Sequence, residues 1–336
     1  MEYIISRGYK NILVVALGGG GDVATASMLA LALRRIGINS RVASVAWERY
    51  IVDPLPGPIK LEEIHEARSV GNYSALVNES SYALRGGRKI IFQAARASKI
   101  LKEEIGVVDL SKAALGVREG IKELMNLFGT DLVLGVDVGG DILATGYEED
   151  LWSPLADFTG LASIKDLESI LAVHSVGGDG ELSQEYVLRR ISLVAERGGF
   201  LGARGMIPED YEVLKNLLSS IESEASKTSL RAFEGFHGQI SMRSGSRIGA
   251  INIINTITFF LDPRVVASLN SLINELAETK DIYEAKKILN NHGIFTELDL
   301  EEEVSRLINI NQEITGEKLL FIKKQFRTLH SRDLYK

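Results

Sequence analysis

NILVVALGGGGDVATASMLALALRRIG, residues 11–37, reads as a strand, a glycine turn and a helix in direct succession. Residues 11–17 are a short apolar run, four glycines break it, and residues 23–36 are rich in the helix formers Ala, Leu, Met and Arg. Gly37 then stops the helix, and residues 40–47 supply a second strand. Strand, turn, helix, strand is how a parallel sheet with right-handed crossovers begins. The expected fold is therefore a doubly wound, Rossmann-like α/β sheet, mostly parallel.

Working outward, residues 88–92, 131–138 and 169–176 read as strands, and residues 111–128 and 184–197 as helices. Residues 53–58, DPLPGP, are irregular because three prolines fix dihedrals and remove donors. Pro208 opens a helix to about residue 227, residues 226–247 form a loop or two short strands, and residues 247–261 have strand character. Helical pattern dominates from Pro263, with amphipathic stretches at 265–277 and 300–310 and a solvated end at 323–336. The units share no fixed period, so they are layers of one sheet. The division expected is an α/β unit over 1–262 carrying the glycine-aspartate turns, and a helical extension over 263–336.

Composition narrows the chemistry. A chain of 336 residues, 45% hydrophobic, is long enough to bury a large core. Its longest apolar stretches are too short or too polar to span a bilayer, and residues 1–10 lack the features of a secretory signal, so a cytoplasmic protein is expected. With no cysteine, thiolate metal sites and cysteine nucleophiles drop out, and the site uses oxygen and nitrogen chemistry. A net charge of −7 speaks against nucleic acid as the partner. Six prolines and many Ile, Lys and Glu suit a thermophile. Oligomeric state is not written in one chain, and a homo-oligomer is allowed.

Three turns carry the candidate chemistry. Gly18, Gly19, Gly20 and Gly21 free the backbone after the first strand, and the helix behind them aims its amides at an anion such as phosphate. Gly19, Gly21 and Ala24 also match the dinucleotide spacing, with Glu48 as the ribose-holding acid. That reading makes a nicotinamide- or flavin-dependent oxidoreductase one alternative, yet Asp22 sets negative charge beside the supposed pyrophosphate. Residues 137–141, DVGGD, and 177–181, GGDGE, also follow strands, and parallel strands deliver their C-terminal ends to one edge. Asp22, Asp137, Asp141, Asp179 and Glu181 would converge there, together with Gly139 and Gly140. Such carboxylates repel unless they bind a metal, hold protons or meet a cationic ligand. Magnesium or manganese bridging a phosphate is the simplest resolution, although Asp after Gly is also ordinary turn and N-cap chemistry.

Beyond the turns, Ser153 with Pro154 reads as a helix start, leaving Glu148 and Asp157 as neighbours available to the site. Arg243, Arg247 and His237 lie in a Gly- and Ser-rich segment able to fold over an anion. His174 is either a core histidine or a general base, and His65, His292 and His330 have no metal-site spacing.

GGGGDVATA at 18–26, WERYIVDPLPGP at 47–58, DVGGDILATGYEEDLWSPLAD at 137–157, RSGSRIG at 243–249 and FFLDP at 259–263 together resemble an uncharacterised family, mainly archaeal and bacterial with plant members, known as domain of unknown function 1152. The resemblance implies that Trp47, Glu48, Arg49 and Asp53 belong with the site, along with Asp157, and it implies no activity. The expected function is a metal-dependent enzyme acting on a phosphorylated or nucleotide-like small molecule, by hydrolysis or phosphoryl transfer. In it the glycines 18–21 cradle the anion, Asp22, Asp137 and Asp141 hold the metal, Asp179 or Glu181 positions the attacking group, and Arg243 or Arg247 steadies developing charge. A non-catalytic nucleotide or metabolite sensor is the main alternative.

Overall fold

The computed structural model describes residues 1–50, 52–53 and 55–331, with side chains to residue 327. In chain order the elements are α1 (Glu2–Ser6), β1 (Asn11–Ala16), α2 (Val23–Arg35), β2 (Asn39–Val45), β3 (Ile64–Ser69), β4 (Ser74–Arg85), β5 (Arg88–Ile90), α3 (Gln93–Leu101), β6 (Ile105–Val108), α4 (Ala113–Phe128), β7 (Leu132–Val138), α5 (Pro154–Ile164) and β8 (Ser169–His174). There follow α6 (Gln184–Glu196), β9 (Phe200–Gly205), α7 (Pro208–Leu217), α8 (Glu224–Phe233), β10 (Gly238–Met242), β11 (Arg247–Ile251), β12 (Ile257–Leu261), α9 (Pro263–Ser268), α10 (Leu272–Leu276), α11 (Ile282–Asn291), α12 (Glu297–Asn309) and α13 (Gly316–Ser331).

The main sheet has ten strands in the order β3-β4-β6-β2-β1-β7-β8-β12-β9, with β5 paired to β4. Its centre, β6-β2-β1-β7-β8, is parallel. Antiparallel strands extend both sides, β4 and β3 beyond β6, and β12 and β9 beyond β8. β10 and β11 form a separate antiparallel hairpin. The fold is thus the mostly parallel α/β sheet with a helical C-terminal region that residues 11–37 and the apolar runs after them imply.

The strand period divides the core in two. Leu13 and Val15 point to the face covered by α4, α5, α6 and the C-terminal helices, while Ile12, Val14 and Ala16 point to the face covered by α2, α3 and α7. Both faces are buried, which is why the central strands are continuously apolar. Trp152, Phe295, Leu300, Val304, Leu319 and Ile322 make a smaller cluster that holds α12 and α13 over the end of α5.

Several elements escape a reading by hydrophobic period. β3 and β4 carry HEARS and NESSYALR, polar runs on a sheet margin where exposed residues give no apolar alternation. The helix expected from Pro208 to about residue 227 is two helices, α7 and α8, and the 265–277 stretch is likewise α9 and α10. The end is not simply solvated. Lys323 is buried in α13, and residues 332–336 lie outside the described residues, as does the His330 side chain.

Within residues 47–58, Ile51 and Pro54 also lie outside the described residues. The rest of the proline-rich stretch is held by buried Arg85. Its Nε pairs with Asp53 at 2.8 Å, and its terminal nitrogens donate to the carbonyls of Leu55, Pro56, Gly57 and Pro58 at 2.8–3.2 Å. Asp53 is therefore the counter-ion of a structural arginine and does not face the crevice, contrary to what the family resemblance implies. Arg85→Met strands that carboxylate without its cation, and a loss of about 3–5 kcal/mol of stability is expected in urea unfolding. A loss under about 1 kcal/mol would show that the pair is not structural.

Candidate functional site

The chain leaves β1 toward β2 and β6 and later returns on its other side as β7 and β8, so the loops diverge between β1 and β7. Such a switch point opens a crevice at the carboxyl ends of the strands. A cavity of about 430 Å³ lies there. β1 brings the glycines 18–21 and Asp22 to it, β2 brings Glu48 and Arg49, the loop after β7 brings Asp141, and the loop after β8 brings Asp179 and Glu181. α5 adds Asp157, and the β10–β11 hairpin adds Arg243 and Arg247.

The glycine run serves close approach and not unusual dihedrals, since none of the four has a left-handed φ. A Cβ on Gly18 would stand 2.5 Å from Asp22 Oδ2 and 3.0 Å from Asp157 Oδ1. On Gly19 it would stand 3.0 Å from the Arg49 guanidinium, on Gly20 2.8 Å from Glu48 Oε1, and on Gly21 2.9 Å from Ser223 Cβ. Each glycine thus admits a different neighbour, and the spacing that matches a dinucleotide fingerprint has a packing explanation. Gly20 also donates to Trp47 O at 3.0 Å, tying β1 to β2 across the crevice.

Below the glycines lies the densest acidity. Asp137, Asp141 and Asp157 each offer an oxygen, and these atoms all lie within 4.8 Å of one another. Asp137 is 1% exposed and Asp157 3%, yet among the described residues Asp137 Oδ1 and Asp157 Oδ1 have no hydrogen-bond partner. Burial, reinforced by the neighbouring carboxylates, holds Asp137, Asp141 and Asp157 well above the ordinary carboxylate range. Asp22 is pushed up to about 7 by burial, against the pull of Arg49. Unpaired buried anions in this number are stable only with protons or a cation among them.

Asp141, Asp179 and Glu181 form a second such group, but its members are differently placed. Glu181 accepts from Trp152 N at 2.6 Å, Ser153 N at 2.9 Å, the Ser153 hydroxyl and Arg247 at 2.7 Å. Burial works against its charge, but Arg247 and these donors more than offset it and hold it below the usual glutamate range. Asp179 accepts from Glu181 N, at 3.2 Å, and burial beside Glu181 lifts it to about 7. The hairpin arginines close the cavity. Arg243 pairs with Glu224 at 3.1 Å, and burial with Arg49 and Arg247 alongside lowers it to about 9.

Three predicted residues stop short of the cavity wall. Gly139 donates its amide to His174 O at 2.9 Å and Gly140 to Asp137 Oδ2 at 2.9 Å, so neither amide is left for an anion. Their absent side chains make room instead for Asp179 and Val187. Asp137 likewise lies beneath the wall, with one of its oxygens in the acid group. Glu48 lines the cavity, but both its oxygens accept from Gln93, at 2.9 and 3.0 Å. Glu148 turns away to Thr145 and Tyr186.

His174 is a core histidine. It shares hydrogen bonds with Thr258 and Ser229, each at 2.8 Å, and burial lowers it to about 3. His237 is exposed and off the wall. Ser153 occupies the N-cap position of α5, but its hydroxyl turns to Glu181 and to Asp141, at 3.3 Å for the latter. The α5 amides of Leu155 and Ala156 donate instead to Glu297 of α12, at 3.0 and 2.7 Å. Glu297 and Glu301, the latter accepting from Trp47 and Gly57, were not legible as members of this region because they sit in an amphipathic helix over 100 residues away.

The model of a family described as protein of unknown function (DUF1152) matches residues 13–305, a span that holds every residue of the site from the glycine run to Glu301. The chain belongs to the DUF1152 family. No curated protein and no solved structure matches it. The DUF1152 match takes in the glycine run, both glycine-aspartate turns, the arginine hairpin and most of α12, so the crevice and the helix that staples its rim are both inside the family span. Among the described residues of this DUF1152 chain, no helix is long and apolar enough to cross a membrane.

Proposed function

We propose that the crevice is the active site of a divalent-metal-dependent enzyme acting on a phosphorylated or nucleotide-like small molecule. One observation carries this reading: Asp137, Asp141 and Asp157 each bring a carboxylate oxygen within 4.8 Å of the others, and among the described residues the buried Asp137 Oδ1 and Asp157 Oδ1 have no hydrogen-bond partner. An all-oxygen set of three carboxylates suits magnesium or manganese. The metal would neutralise a phosphate's charge and polarise its oxygens. Asp22, expected as a metal ligand, shares the space over Gly18 with Asp157 but is not one of the three; it would add negative charge beside the ion. The cavity, at about 430 Å³, sits toward the small end of ligand sites and suits a mononucleotide or sugar phosphate better than a dinucleotide.

The side chains divide the work. Asp179, held at about 7 with one oxygen uncommitted, accepts the proton of an attacking water or hydroxyl. The oxygen of that water or hydroxyl bonds to phosphorus as the ester P–O bond breaks; the leaving alkoxide takes a proton from solvent and departs as the alcohol, and Asp179 returns its proton to solvent. Glu181 has no such freedom, and its part is to fix Arg247, which with Arg243 faces the charge gathering on the phosphoryl oxygens. Phosphate release or transfer from a panel of sugar phosphates and nucleotides, with Mg²⁺ or Mn²⁺ against EDTA, tests the reading. Metal-dependent turnover that falls at least about a hundredfold in Asp179→Asn is expected. Metal-dependent ligand binding without product would make the protein a sensor.

A further inference from the structure

We infer that Arg49, together with the backbone N–H groups of Gly18 and Gly19, is the seat of a phosphoryl oxyanion on the ligand; this rests on the cation site proposed above. Among the described residues, the Arg49 guanidinium makes no hydrogen bond and no ion pair, although it lies in a cavity rich in carboxylates. Arg243 and Arg247 do have partners, Glu224 and Glu181. Of the three guanidinium groups, Arg49 alone has no direct pair among the described residues; Glu301, Glu181, Glu297 and Asp22 act on it only through space. Arg247 is also incompletely satisfied: it is 8% exposed and its Nε has no partner.

Position makes this cation an anion site. Arg49 rests 3.0 Å from where a Gly19 side chain would begin, and the adjoining Gly18 is where Asp22 and Asp157 meet. Gly18 and Gly19 are consecutive, so the Asp22 and Asp157 carboxylates and the Arg49 guanidinium flank the same short stretch of backbone. An oxyanion seated on that backbone would have Arg49 as its protein cation. Neither Gly18 nor Gly19 donates its N–H to a protein acceptor among the described residues, and both line the cavity. Paired amides beside a forked guanidinium match the several oxygens of a phosphoryl group. A side chain on Gly19 would displace Arg49, which accounts for glycine at that position.

Calorimetric titration with inorganic phosphate, in saturating Mg²⁺, tests the seat. Arg49→Gln should weaken phosphate binding tenfold or more while Mg²⁺ alone binds as tightly as before or tighter. Arg49→Lys, keeping charge without the fork, should fall between. Equal phosphate affinity in the wild type and Arg49→Gln overturns the inference and leaves the cation site standing. If Mg²⁺ itself does not bind, the cation site falls, and phosphate titrated without Mg²⁺ decides the seat separately: Arg49-dependent binding upholds it, and absent or Arg49-independent binding overturns it.

Discussion

Asp137→Asn is expected to make the metal-free protein more stable and to abolish its stabilisation by Mg²⁺. Asp137 Oδ2 accepts from Gly140 N at 2.9 Å, and an asparagine carbonyl keeps that bond. The other oxygen, unpartnered and buried beside Asp141 and Asp157, becomes an amide that donates to those carboxylates. A buried carboxyl gives way to a neutral amide and one unsatisfied group gains partners, worth about 1–3 kcal/mol, a few degrees of melting temperature in a domain of this size. The wild type gains about 2.7 kcal/mol from a metal at a hundred times its Kd, whereas the variant gains nothing. Thermal unfolding with EDTA and with Mg²⁺ measures both halves. A variant that is destabilised in EDTA, or still stabilised by Mg²⁺, contradicts the assignment.

The second large effect is an inverted pH dependence. Asp22, Asp179, Glu48, Glu297 and Glu301 are each pushed up to about 7, chiefly by burial. An unfolded carboxyl ionises near 4, so between about pH 4 and 7 the unfolded chain has released protons that the folded chain keeps. Stability is then fully present below about pH 4 and is lost as pH rises through 7. A single group held up by three pH units is worth about 4 kcal/mol. In EDTA the melting temperature should fall from pH 5 to pH 8.5. Metal binding displaces the shared protons, so Mg²⁺ should restore stability most at high pH and bind weakly below about pH 6. A metal-free protein that grows more stable from pH 5 to 8 would count against protonated, buried acids in this crevice.

The sheet was largely legible because its centre is covered on both faces, and two-sided burial writes continuous apolar runs such as 11–17 and 131–138. Its margins were not. β3 and β4 have exposed polar faces, and β6 is only four residues long, so neither period nor length marks them. Within the crevice, the order in which glycine and aspartate follow strands was enough to bring Asp22, Asp141, Asp179 and Glu181 to one edge. That order says nothing of which oxygens are committed. Glu181 and Asp179 are two residues apart, yet one accepts four hydrogen bonds and the other one.

Other features depend on contacts far along the chain. Asp157 is a helix residue, and only the packing of α5 against the glycine run turns it toward Asp137. Gly139 and Gly140 carry the same turn chemistry as the glycines 18–21 but give their amides to His174 and Asp137. Arg85 and Asp53 lie 32 positions apart with no periodic link, so an acid implied for the site proves to be a strut of the adjoining loop.

The cation site is tested most directly by titrating EDTA-stripped protein with MnCl₂ at pH 8 and following bound Mn²⁺ by calorimetry and electron paramagnetic resonance. One ion bound through Asp137, Asp141 and Asp157 is expected, and Asp157→Asn should weaken that binding by at least about a hundredfold while the protein stays folded. No Mn²⁺ bound by the wild type, or equal binding by folded Asp157→Asn, would contradict it.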